Sequence, residues 1–225
     1  MKTHLLFLAG FQFLVSCKNT NTDTNQKETP PKHTTEQTDN EPQSEWLAIP
    51  NQKVGKITSD MKEADIIEAY GQESVKRDSL HVGEGFYIQS TVVFPDTPKE
   101  LRIAWEEDKT FEKIARIIVR QENAPWHTPE GLKIGSSLQE VIDLNGTHFN
   151  FWGFDWDYAG SVSSWEGGNF DGKGLGVRLN YQVDFEELDS KAVEAVIGDR
   201  EVSSNEPILK EMQVVVSELF FYFPK

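Results

Sequence analysis

The chain has 225 residues, with 22 Lys and Arg against 37 Asp and Glu, for a formal charge of −15. That sign, and the lack of any Lys/Arg-rich run, exclude nucleic-acid binding, which depends on basic side chains displacing counterions from phosphates. Hydrophobic residues make up 37% of the chain, with 14 Phe and 6 Trp, enough apolar mass for a core in one or two domains.

The chain opens on a short polar head, Met1 to His4, followed by an apolar run from Leu5 to Val15 that only Gly10 and Gln12 interrupt. A membrane-spanning helix needs about 20 apolar residues, so residues 1–16 read as a cleaved signal peptide. The run ends in Leu14-Val15-Ser16-Cys17, which resembles the lipobox of bacterial lipoproteins. The resemblance implies cleavage before Cys17, a diacylglyceryl thioether on its sulfur and an acylated N-terminus. Each buried methylene contributes about 0.8 kcal/mol, so several acyl chains together anchor the protein durably. Cys17 is the only cysteine of the chain, and lipidation leaves no free thiol in an oxidising compartment. Residue 18 is Lys rather than the Asp that retains enterobacterial lipoproteins at the inner membrane, so the resemblance implies an outer-membrane address.

Residues 17–44 comprise the lipidated Cys and a tether. Lys18 to Ser44 contains no aliphatic or aromatic residue and is built largely of Thr, Asn, Gln, Glu, Lys and Pro. Such a composition cannot offset its ordering entropy and is expected to stay disordered, with a mean span of roughly 30 Å. The first 44 residues hold four Lys and five acids, so −14 of the charge belongs to residues 45–225. An acidic folded part favours a basic partner.

From Trp46 onward one pattern occurs twice. Val54-Gly55-Lys56-Ile57 leads to a helical spacing of Met61, Ala64, Ile66, Ile67 and Tyr70, with Ser59 or Asp60 as candidate N-cap and Gly71 as a left-handed C-terminal residue. Gly131-Leu132-Lys133-Ile134-Gly135-Ser136 leads in the same way to Leu138, Val141, Ile142 and Leu144 before Gly146. The first helix is followed by β-rich runs at 86–94, 100–105 and 113–120. The second is followed by runs at 148–158, 161–170, 174–181 and 212–223, with Asp171-Gly172 as a tight turn. The expected fold is α+β, in two tandem units over 45–121 and 122–225, each a short helix followed by an antiparallel β-sheet. Residues 184–211 interrupt the second unit as an exposed acidic insertion.

A Gly or Ile leading into a short helix that begins at Ser and ends at Gly, then a sheet, resembles the small outer-membrane lipoproteins of the SmpA/OmlA type. It also resembles the tandem-repeat β-lactamase inhibitor proteins, although their disulfides have no counterpart after Cys17. The resemblance implies a binding or inhibitory module that works through a concave sheet.

Residues 149–158 read Phe-Asn-Phe-Trp-Gly-Phe-Asp-Trp-Asp-Tyr, and three readings of this segment stay open. In the first, a two-residue hairpin at Ala159-Gly160 puts Trp152, Phe154, Trp156 and Tyr158 on one face, with Phe154 opposite Trp165. In the second, Asp155, Asp157 and Glu166 follow EF-hand spacing and bind calcium, although position five is Ala and the flanks are rich in Gly. In the third, Trp152, Trp156 and Trp165 form a sugar-stacking platform beside a carboxylate pair of glycosidase type. His127 and His148 have no second ligand at zinc spacing, and nucleotide-binding and serine-hydrolase motifs are absent. The sequence therefore points to a non-catalytic envelope module that binds another protein as inhibitor or assembly factor, with no cofactor unless calcium. The alternative is a glycan-binding or glycan-hydrolysing module built on hairpin 149–166.

Overall fold

A computed structural model of the chain describes residues 45–224, so the signal peptide, Cys17 and the tether lie outside the described residues. The described part belongs to one compact unit and is α+β, with mostly antiparallel strands. Three two-residue strands, β1 (Ala48–Ile49), β2 (Lys53–Val54) and β3 (Ile57–Thr58), form a small meander at its start. Helix α1 (Glu63–Tyr70) follows, then β4 (Val75–His81), β5 (Tyr87–Val93), β6 (Leu101–Trp105) and β7 (Ile114–Val119). The later part holds α2 (Leu138–Asn145), β8 (Asn150–Trp152), β9 (Val162–Ser164) and β10 (Leu175–Asn180). It closes with α3 (Ser190–Glu194), β11 (Glu201–Ser203), α4 (Ile208–Glu211) and β12 (Val215–Phe221). Among the described residues no helix is long and apolar enough to cross a membrane.

The two expected helices form, with different ends. In α2, Ser137 accepts from the Glu140 amide while the Glu140 carboxylate accepts from the Ser137 amide, a reciprocal capping box. In α1 the cap is Lys62 rather than Ser59 or Asp60, because the Asp65 carboxylate reaches back to the Lys62 amide and Asp60 is held by Thr58 Oγ1. Gly71 adopts φ 88°, ψ 141°, outside the left-handed helical region expected for it, whereas Gly146 does adopt that region.

Both parts of the chain contribute to a single six-stranded antiparallel sheet of order β10-β12-β7-β6-β5-β4. The seam lies where β12 returns beside β7, with Leu219 opposite Val119 and Phe221 opposite Ile117. Alternation then assigns every second side chain to each face. Val93, Leu101, Ile103, Ile117, Val119, Leu219, Phe221 and Val177 belong to the main core with Ile66 of α1 and Val141 of α2. The other face carries the ladder Val92, Arg102, Ile118, Phe220, Gly176, read across paired strands. Its apolar cluster is small, Leu80, Ala104 and Ile118 with Ile88 and Phe220 against them.

Residues 184–211 are not an exposed excursion. Strand β11 pairs with β8 in a second sheet of order β11-β8-β9, and Val193, Val196, Val202, Ile208 and Leu209 are buried in the main core. The acidic residues between them turn outward and mask that apolar spacing in the sequence.

Candidate functional site

The less apolar face of the six-stranded sheet holds a groove of about 500 Å³. Its floor is made by Arg116, Ile118 and Arg120 at and just beyond β7, Glu218 and Phe220 on β12, and Arg178 on β10. One wall is the end of β4 with its turn, Leu80 to Gly83, and the other is the loop carrying Asp157, Tyr158 and Ser161. Arg120, Asp157, Arg178 and Glu218 also line an adjoining space of about 350 Å³, which extends to Trp156 and Tyr181. Val82, Phe86, Tyr158 and Tyr222 stand exposed on and beside these walls, Tyr158 at 52% and Phe86 at 67%.

The arginines are positioned unequally. Arg178 donates to Glu218 Oε1 at 3.2 Å and from Nε to Ser161 Oγ at 3.2 Å, which ties the strand to the loop wall. Arg116 and Arg178 both approach the Phe220 ring, each with its guanidinium carbon 5.8 Å from the centroid. Arg116 Nε is buried without a hydrogen-bond partner. Arg120 is exposed. In a chain with only six arginines, three meet in this one groove, so the folded part presents positive charge here despite its acidic total.

The segment singled out in the sequence is divided by the structure. Strand β8 ends at Trp152, and β9 begins only at Val162, with a register shift between Asn150 and Phe151. The two-residue hairpin is thus replaced by a nine-residue connection. It is irregular because Asp155 takes φ 66° and Gly160 φ 71°, and Gly160 bonds Trp152 on one side and Leu179 on the other. Phe154 pairs with Ile197 rather than Trp165.

Trp152 and Trp156 do come together, edge to face with centroids 5.8 Å apart, and Tyr158 continues the series at 5.3 Å from Trp156. Both tryptophans are half-buried, and Trp156 Nε1 is held by Gly153 O at 2.8 Å. Trp165 is not part of this platform. It is 8% exposed, packs between Phe149 and Phe170, and donates to Leu175 O.

The three candidate calcium ligands are likewise separated. Asp155 accepts from the Tyr181 hydroxyl at 3.1 Å, whereas Glu166 accepts from Ser164 Oγ at 2.6 Å and Asn150 Nδ2 at 3.1 Å. Asp157 lines the groove. Among the described residues no group of three or more His, Cys, Asp or Glu side chains is placed to hold a metal ion. Burial first, and then the Asp155 carboxylate, push the Tyr181 phenol above its usual range, so this pair is a phenol donating to a carboxylate.

The arginines were missed in the sequence because Arg120 and Arg178 are far apart along the chain. A signal was present in the alternation Arg116-x-Ile118-x-Arg120, which puts both cations on one face of a strand. Comparison with protein-family models, curated proteins and solved structures finds no match to this chain.

Proposed function

We propose that this chain is a lipid-anchored protein of the bacterial cell envelope, attached to the outer membrane through Cys17, whose folded part is a non-catalytic module that binds another protein. 

Support comes from one observation above the others: an open groove on the sheet, lined by exposed Val82, Tyr158 and Tyr222, with exposed Phe86 across the turn from Val82. Solvent-facing apolar side chains gathered at a concave surface are characteristic of interaction sites. We read the fold as two tandem α+β units, 45–121 and 122–225, whose strands merge in one sheet. The two eight-residue helices, each followed by antiparallel strands, support that reading.

The test is site-specific photo-cross-linking in intact cells, with benzoylphenylalanine replacing Phe86, Tyr158 or, as control, the exposed Gln139 of α2. The same discrete adduct from Phe86 and Tyr158, and none from Gln139, is the expected result. Adducts that ignore position, or none at all, would overturn the reading. Cys17→Ala is expected to move the protein from the membrane fraction to the soluble fraction, and unchanged membrane retention would remove the anchor from the proposal.

A second reading, a glycan-binding groove, is favoured by the half-exposed series Trp152, Trp156 and Tyr158. Sugar rings stack on such faces, and a glycan array separates it from the first.

A further inference from the structure

We infer that the groove receives an extended acidic segment of the partner protein, with carboxylates on Arg116 and Arg120 and an apolar side chain between them over Phe220. This rests on the proposed binding role and names the chemistry of what is bound.

Charge is the first argument. The groove gathers three of the six arginines of the chain, and the acids lining it are Asp157 and Glu218. Glu218 is committed to Arg178 at 3.2 Å. The ion pairs among the described residues include neither Arg116 nor Arg120. Arg116 Nε is buried with no hydrogen-bond partner, so no group of the domain holds the guanidinium through that nitrogen. A guanidinium matches a carboxylate with two parallel hydrogen bonds.

Spacing is the second. Arg116 lies on β7 and Arg120, four residues on, lies one residue past its end, with Ile118 between them lining the same groove and Phe220 beside Ile118 in register. Four residues of strand span about 13 Å. An extended peptide repeats the same interval between its own residues one and five, with the third on the same side. An acid, an apolar residue and an acid at alternate positions therefore match the floor point for point, whereas one small anion meets one end of it.

The remaining domain is acidic, so long-range repulsion opposes acidic chains in general and leaves recognition to these contacts. That makes the groove selective for sequence rather than for charge alone.

The experiment measures binding of a fluorescent random Glu/Tyr copolymer to the full mature chain in detergent, at physiological ionic strength. Poly-glutamate, polygalacturonate and inorganic phosphate serve as competitors. The copolymer is expected to bind saturably and to be displaced by poly-glutamate less well than by unlabelled copolymer. Arg116→Gln and Arg120→Gln should each weaken it about tenfold, Arg116→Lys less, and Arg200→Gln, outside the groove, not at all. Because Arg120 is exposed, its variant keeps the test alive should Arg116→Gln fail to fold, which circular dichroism reports. Absence of binding, or binding indifferent to Arg116 and Arg120, overturns the inference. Polygalacturonate or phosphate competing as well as the copolymer overturns it too, in favour of an acidic glycan or a small anion. If the copolymer fails while Phe86 and Tyr158 still cross-link one protein, only the acidic-segment chemistry falls and the binding module stands.

Discussion

Glu63, the first residue of α1, accepts a 2.6 Å hydrogen bond from Thr91 Oγ1 of β5, and that same oxygen accepts 3.0 Å from Trp105 Nε1. Arg77 closes the other side of the carboxylate from β4 and lies over the Phe111 ring at 3.9 Å. One threonine oxygen therefore joins a helix start to a buried indole. Thr91→Val keeps the shape and removes both bonds, leaving Trp105 Nε1 without an acceptor and the Glu63 carboxylate to Arg77 alone. We expect a loss of about 1–3 kcal/mol, read as a lower urea midpoint, and a smaller loss for Thr91→Ser. A valine variant as stable as the parent would show that the network adds nothing.

The same carboxylate predicts a pH dependence. Burial pushes the Glu63 pKa upward, but hydrogen bonds from Arg77 and Thr91 and the Arg77 charge outweigh it, and the net direction is below the usual 4.5. A depressed pKa means that the unfolded chain binds the proton more readily, so the contribution is complete above about 4.5 and fades as pH falls through the lower folded-state value. The stability gap between parent and Glu63→Gln should be steady at neutral pH and narrow only in that acidic window. Unfolding curves across the range check this, and a gap that does not change with acid would contradict it.

The tryptophans divide into two populations. Trp105, Trp126 and Trp165 are buried, while Trp46, Trp152 and Trp156 are half-buried, Trp156 lining the space that adjoins the groove. Iodide should quench part of the native emission, and Trp156→Phe should lower the accessible share while Trp165→Phe leaves it unchanged. Trp165→Ala empties a core site between Phe149 and Phe170 and should cost about 3–5 kcal/mol, whereas Trp156→Ala should cost less. Equal protection of all the tryptophans would place Trp156 in the core and remove it from the groove.

Much of the sheet was legible because its strands are bounded by turns and rich in β-branched residues. The runs 86–94, 100–105 and 113–120 correspond to β5, β6 and β7 within a few residues. Strand β4 escaped notice because Val75-Lys76-Arg77-Asp78-Ser79 is mostly polar, as befits an edge that resists further pairing. The run 148–158 has the composition of one strand, yet the strand it forms is Asn150–Trp152. Aromatic density suggested regular alternation, but Asp155 and Gly160 bend the backbone and send Phe154 into the core. The site was half legible for a related reason: local spacing brings Trp152 and Trp156 together, whereas Arg178 reaches Arg116 and Arg120 only through the pairing of β12 with both neighbours.

Gly160 is the residue on which the loop wall of the groove depends. Its φ is 71°, and a Cβ there would lie 2.0 Å from Leu179 O, the carbonyl of a strand that cannot yield without breaking its pairing. Gly160 N donates to Trp152 O and its carbonyl accepts from Leu179 N, both at 2.8 Å, so the loop is clamped between β8 and β10. Gly172 has a similar φ of 65° but nothing within 4 Å of an added Cβ, which makes it the matched control. Gly172→Ala should cost only the left-handed backbone penalty, about 1–2 kcal/mol. Gly160→Ala adds displacement of the loop, and should lower the thermal midpoint further while raising the exposure of Trp156 to iodide. If the two alanines behave alike, strain alone governs the position and the clamp does not hold the wall.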